Sequence, residues 1–184
     1  MSFENDKKVF LSKLDKSKKK SIDNKIRKLI NLINSLPNYY TTSSCSGRIV
    51  LLKHKPSKKG STWLFSSHNT VNFNQLKNIK LPKEEVWFKQ EPLIMHVCCK
   101  NIEAAKKFLS IMRKLFKRTG IIGLGKKITI EIIGNEHIDT IISKNRKLLV
   151  TEDYLKVLVK KANKKLKNNH TNIERFYNIV KGLL

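Results

Sequence analysis

Residues 39–52, YYTTSSCSGRIVLL, decide how this chain folds, because the apolar pattern changes period across them. Upstream, Ile22, Ile26, Leu29, Ile30 and Ile33 recur at helical spacing, with Ser21 placed to cap the first turn and Pro37 stopping the pattern, so an amphipathic helix is predicted. Downstream, Ile49 to Leu52, Trp63 to Phe65, Val86 to Phe88 and Leu93 to Val97 are short β-branched or aromatic runs bounded by Gly, Pro, Ser and Asn, which read as strands. Between them, Thr41 to Arg48 puts hydroxyls, a thiol, a glycine and an arginine into eight residues. That segment is a donor-rich turn leading into a strand. Gly47 lets a ligand or another backbone come close, and Arg48 offers a planar fork for phosphate or carboxylate. Ser, Thr and Gly also build ordinary turns, so composition alone leaves the segment's role open.

Working outward, Phe10 and Leu14 suggest a shorter first helix, and Lys16 to Lys20 is a basic connector. His54 to Gly60 reads as an exposed hairpin loop. A second long helix is expected to open at Asn101, to carry Ala104, Ala105, Phe108, Ile111, Met112 and Leu115 on one face, and to end at Gly120. Strands resume at Ile128 to Ile133 and Ile138 to Ile142. The C-terminal part reads as a helix capped by Thr151 and broken at Asn168 and Asn169, then a last helix opened by a Thr171/Glu174 capping box. This order predicts an α+β fold, one domain spanning residues 1–184, with a mixed or antiparallel sheet flanked by helices. A Rossmann layout is not expected. The one G-x-G, Gly123 to Gly125, lies between two strand-like runs and reads as a hairpin turn, not as a phosphate loop opening a helix.

Charge narrows the partners. Thirty-nine Lys and Arg against 14 Asp and Glu give a formal net charge of +25 over 184 residues. That points to a polyanion, although an A+T-rich genome or a hot habitat also favours lysine. No run reaches the roughly 18 apolar residues of a membrane span, and Met1 to Lys8 lacks an export signal's apolar core, so a cytoplasmic protein without a membrane partner is expected. Cys45, Cys98 and Cys99 form no even framework, and no ligand spacing for zinc is present, so neither disulfides nor a metal are expected.

YYTTSSCSGRI, together with LDKSKKKSID at Leu14 to Asp23, Trp63 followed by Ser67 and His68, Glu91-Pro92 with His96, FKRTGI at Phe116 to Ile121, Tyr154-Leu155 and Ala162-Asn163, resembles the wybutosine-synthesising protein 3 family over nearly the whole chain, as an archaeal member. One departure is Lys19-Lys20, where the family pattern has Lys-Gly. The resemblance implies S-adenosylmethionine-dependent methylation of N4 of the tricyclic 7-aminocarboxypropyl-demethylwyosine base, 3′ of the anticodon of a tRNA-Phe precursor.

On that reading the cofactor set is Ser43, Ser44, Cys45, Ser46, Gly47 and Glu91. The hydroxyls and backbone supply donors, and Glu91 supplies an acceptor for an ammonium or ribose hydroxyls. Trp63 or Trp87 offers a stacking surface, against the plainer alternative of a core aromatic in a strand. If the acceptor nitrogen carries a proton, a base is needed. His68, in a polar loop after a strand, is the first choice, with His96 and Asp23 in reserve. As a lone residue in an apolar strand, His96 reads equally as a core histidine, and Asp23 as a first-turn carboxylate favoured by the helix dipole. Arg48, Lys18, Lys117 and Arg118 are the expected RNA contacts. The alternative is a non-catalytic basic RNA-binding protein. A hydrolase using Cys45 or a serine is disfavoured, because no nucleophile-elbow motif is present.

Overall fold

The computed structural model describes residues 2–13, 22–55, 61–125 and 127–182. Among these, the chain forms two compact units, one from residues 1–46, 93–135 and 170–184 and the other from 47–92 and 136–169.

The first unit is a four-stranded antiparallel sheet with helices. Its strands are β1 (Tyr39–Cys45), β5 (Ile94–Cys99), β6 (Arg118–Leu124) and β7 (Ile128–Ile133), in spatial order β1-β5-β7-β6. Its helices are α1 (Phe3–Leu11), α2 (Asn24–Ser35), α4 (Ile102–Met112) and the end of α5 (Glu152–Lys181). Strand alternation sorts the faces. Met95, Val97 and Cys99 of β5 and Ile130 and Ile132 of β7 point into a core with Ile26, Leu29, Ile30 and Ile33 of α2, Phe108 and Met112 of α4, and Phe176 of α5. Each large side chain buried here contributes about 1.5–3 kcal/mol. The intervening residues Ile94, His96 and Cys98 face the other side of the sheet.

The second unit is a five-stranded antiparallel sheet, order β3-β2-β4-β8-β9, made of β2 (Arg48–Lys53), β3 (Thr62–Ser67), β4 (Val86–Glu91), β8 (Ile138–Lys144) and β9 (Lys147–Leu148). Ile49, Leu51, Val86, Phe88 and Ile142 pack against Leu158, Val159, Ala162 and Leu166 of α5. A short helix, α3 (Phe73–Lys77), follows the loop after β3 and is held by an Asn72/Gln75 capping box.

The α+β class and the non-Rossmann layout stand, with two antiparallel sheets where one sheet is the sequence expectation. Four local readings need correcting. The run Thr41 to Arg48 is not one turn. Most of it is the edge strand β1, where small hydroxyl side chains tolerate one exposed flank, and only Ser46 and Gly47 connect it to β2. The helix over 101–120 stops at Met112, and Gly120 lies inside β6. Asn168 and Asn169 do not break α5, and Thr171 opens no new helix. Asn169 is buried, and Leu166, Ile173 and Phe176 keep one helix face apolar across it, so packing overrides a weak intrinsic preference. Finally, α2 begins at Asn24 with Asp23 at its N-cap, where the sequence places a first-turn residue; Ser21 lies outside the described residues. Thr151 does cap α5, its Oγ1 accepting from Tyr154 N at 3.2 Å.

Candidate functional site

The two units divide the residues singled out by the sequence. In the first unit, antiparallel register aligns Ser43 of β1 with His96 of β5, and His96 with Glu131 of β7. One row over, Cys45 aligns with Ile94, Ile94 with Ile133, and Ile133 with Arg118. Residues directly opposite share a face, so Ser43, Cys45, His96, Glu131 and Arg118 occupy the side of the sheet away from its core. His96 Nε2 lies 3.0 Å from Glu131 Oε1, with both side chains part-buried. A carboxylate oxygen only accepts, so Nε2 carries the proton and Nδ1 is the basic nitrogen. Glu131 is missed by the sequence reading. Its signal is one acidic residue inside the apolar strand ITIEII, at the position that alternation turns away from the core.

Asp23 is engaged by Ser46 in this unit. Its Oδ2 accepts from Ser46 N at 3.0 Å and from Ser46 Oγ at 3.1 Å, which fixes the end of β1 to the start of α2. Ser46 is fully buried, whereas Ser43 is exposed and Ser44 and Cys45 are part-buried. Thr41 is held at its backbone N–H and hydroxyl by Asn34 Oδ1, at 2.8 and 3.2 Å. Lys117 and Arg118 are exposed at the start of β6, and Lys18 lies outside the described residues.

In the second unit, Gly47, Arg48, Trp63, His68 and Glu91 come together. Gly47 has φ +88°, and a Cβ there would meet Asn169 Nδ2 at 2.8 Å and Glu91 O at 2.9 Å. Both conformation and space require glycine, and the close approach is by the Asn169 side chain and the Glu91 backbone. Arg48 Nε donates to Glu91 Oε2 at 2.5 Å, and the Arg48 guanidinium carbon lies 3.9 Å from the centre of the Trp63 ring. The cation is therefore fixed twice, by a carboxylate and by an aromatic face. Trp63 stays 47% exposed, so the core alternative for it does not hold. Trp87, in β4, is part-buried.

His68 Nδ1 lies 2.8 Å from Gly47 O. A carbonyl can only accept, so Nδ1 is the donor and Nε2 is the basic nitrogen of the ring. The loop carrying His68 is anchored from α5: Asn163 Oδ1 accepts from Val71 N at 2.9 Å, and Asn163 Nδ2 donates to Val71 O at 2.7 Å.

Each unit thus holds a histidine oriented through one nitrogen by an oxygen acceptor, and the second unit adds an exposed aromatic ring beside an Arg–Glu pair. This arrangement suits proton removal from a bound nitrogen and contact with flat, polar or anionic ligands.

Known proteins share both the sequence and the fold. The family model described as Methyltransferase TYW3 matches residues 5–182. A tRNA(Phe) 7-((3-amino-3-carboxypropyl)-4-demethylwyosine(37)-N(4))-methyltransferase of Methanocaldococcus jannaschii is 34% identical over 186 residues, covering 97% of this chain and 96% of that protein. A tRNA wybutosine-synthesizing protein 3 homolog of Bos taurus is 32% identical over 182 residues, covering 95% of this chain and 70% of its own length. Among solved structures, the PH1069 protein from Pyrococcus horikoshii superposes with a TM-score of 0.89 at 31% identity, covering 97% of this chain and 96% of that one. On sequence and structure together, the chain belongs to the TYW3 methyltransferase family.

Proposed function

We propose that the protein is an S-adenosylmethionine-dependent tRNA methyltransferase acting on N4 of the 7-aminocarboxypropyl-demethylwyosine base, 3′ of the anticodon of a tRNA-Phe precursor. The 184 residues work as one methyltransferase-like domain in the cytoplasm. The observation that carries this reading is the match to the M. jannaschii methyltransferase along almost the full length of both chains. The net charge of +25 suits a polyanionic substrate, and no helix among the described residues is long and apolar enough to cross a membrane.

The residues present fit the cofactor. A large aromatic left half-exposed beside an Arg–carboxylate pair, Trp63 with Arg48 and Glu91, is what an adenosyl group with hydroxyls and an ammonium needs. When bound, S-adenosylmethionine supplies a methyl group already activated on a sulfonium, so alignment provides much of the acceleration. His68 Nε2 takes the proton from the acceptor nitrogen, with Nδ1 anchored on Gly47 O. His96, oriented by Glu131, is the second candidate for that role. Arg48, Lys117 and Arg118 contact phosphate or the charged side chain of the base, and Asp23 holds the Ser46 turn in place.

The test is incubation of purified protein with the cofactor and precursor tRNA bearing the tricyclic base, read by mass spectrometry of the released nucleoside. A gain of one methyl group is expected. No gain, together with no saturable heat on titrating the cofactor, would leave a non-catalytic RNA-binding protein.

A further inference from the structure

The hairpin joining β8 to β9 is a two-residue turn, Asn145-Arg146, with φ of +53° and +63°. Two consecutive positive φ values mark the hairpin turn whose preferred sequence is Asn-Gly, because L side chains are strained in that region. Asparagine tolerates it; arginine at the second position does not suit the conformation. The turn is nevertheless fixed firmly. Asn145 N donates to Lys83 O at 2.8 Å, and Arg146 N donates to Pro82 O at 3.0 Å. The Arg146 side chain is exposed, with no hydrogen bond or ion pair among the described residues to explain its presence.

What Arg146 does border is an open hollow of about 420 Å³, lined with it by Lys80, Leu81, Pro82, Lys83 and Glu84. Lys80 and Lys83 are also exposed and likewise have no ion pair among the described residues. The carboxylates nearby are already matched. Glu84 Oε1 lies 3.9 Å from both Lys53 Nζ and Lys55 Nζ, and Lys144 Nζ lies 3.1 Å from Glu85 Oε1. A concavity is left with three cations, one of them a planar fork held out by a backbone conformation that disfavours it.

We infer that this hollow of Lys80, Lys83 and Arg146 is a phosphate-binding patch for the tRNA backbone, separate from the residues that handle the modified base. The inference rests on the reading that tRNA is the substrate. Phosphate is the fitting ligand because an exposed, sequence-blind cluster of cations in water gains from displacing counterions, and a guanidinium fork matches two phosphate oxygens.

The strained arginine gives a test in which stability and binding move in opposite directions. In Arg146→Gly the melting temperature rises by about 2–4 °C as the turn relaxes. Affinity for precursor tRNA falls by about threefold to tenfold near 0.15 M salt, and the slope of log affinity against log salt shrinks by about 1. Lys80→Ala/Lys83→Ala lowers affinity and slope in the same way without the gain in melting temperature. Methylation by either variant at saturating tRNA stays at the wild-type rate. A wild-type chain that methylates tRNA while Arg146→Gly binds it equally well at every salt concentration overturns the patch alone. A wild-type chain that neither binds nor methylates tRNA removes the reading beneath it and the patch together.

Discussion

His68 and Gly47 are joined by a hydrogen bond from imidazole Nδ1 to the glycine carbonyl oxygen at 2.8 Å, and that bond makes Nε2 the basic nitrogen of the ring. His68→Asn separates anchoring from chemistry, since its amide can still donate to the Gly47 carbonyl but has no basic nitrogen. Its single-turnover methylation rate should fall by about 10²–10⁴, the usual worth of a positioned base, while the melting temperature and the affinity for tRNA stay near wild type. A His68→Asn enzyme running at full rate would pass the role to His96, where Glu131→Gln and His96→Asn are the corresponding variants.

Gly47 itself cannot be replaced cheaply. Alanine there suffers the positive φ of +88° and also places its Cβ within 3 Å of Asn169 Nδ2 and Glu91 O. The conformational part costs about 1–2 kcal/mol, and displacing a backbone carbonyl adds to it. We expect Gly47→Ala to lower the melting temperature by about 4–8 °C and to reduce methylation, because the same carbonyl carries His68. Calorimetry showing an unchanged transition would contradict the close packing described around this residue.

These two residues also show what a sequence can and cannot disclose. Gly47, Arg48, Glu91 and His68 were all candidates, named through the family resemblance one by one, and the structure places them in one unit; the Arg48–Glu91 pair, 43 residues apart in the chain, was not foreseen. The helical faces of α2 and α4 follow directly from their 3.6-residue apolar spacing. The β1 strand was hidden because its period is carried by hydroxyls instead of apolar residues, and the start of β6 because Gly120 looks like a helix stop. The pairing of Glu131 with His96 was missed for another reason: only the register of β5 with β7 brings the two together, and register is a property of paired strands. The unbroken α5 was obscured because the burial of Asn169 depends on tertiary packing.

Arg48 sits against the Trp63 ring while bonded to Glu91, a geometry that needs a planar cation. Arg48→Lys keeps the charge and loses both the stacking and the directed Nε bond. If Arg48 organises the ligand surface, this variant should raise the KM for tRNA or cofactor about tenfold with a smaller change in kcat. Trp63→Ala should weaken ligand binding by a similar factor, about 1–3 kcal/mol being typical of a lost base–aromatic stack. Quenching of tryptophan fluorescence on titrating cofactor or tRNA reports the contact directly. A Trp87→Phe background assigns the signal to Trp63, and an unquenched Trp63 would refute its role.

The alkaline limit of stability follows from the core of the first unit. Burial, with a smaller contribution from neighbouring Cys98, pushes the Cys99 thiol up from 9.0 to about 12, and burial likewise raises the phenols of Tyr39 and Tyr40. In each case the folded chain holds a proton that the unfolded chain gives up more readily. The stability tied to Cys99 is therefore complete below pH 9 and falls as pH rises from there toward 12. The melting temperature should drop progressively above pH 9, and Cys99→Ala, although less stable at neutral pH, should lose less over the same interval. In the native state at pH 8, alkylation should reach part-buried Cys45 first and leave buried Cys98 and Cys99 unmodified until the chain unfolds. Rapid labelling of Cys99 under native conditions, or a melting temperature flat to pH 11, would mean that the thiol is not enclosed as described.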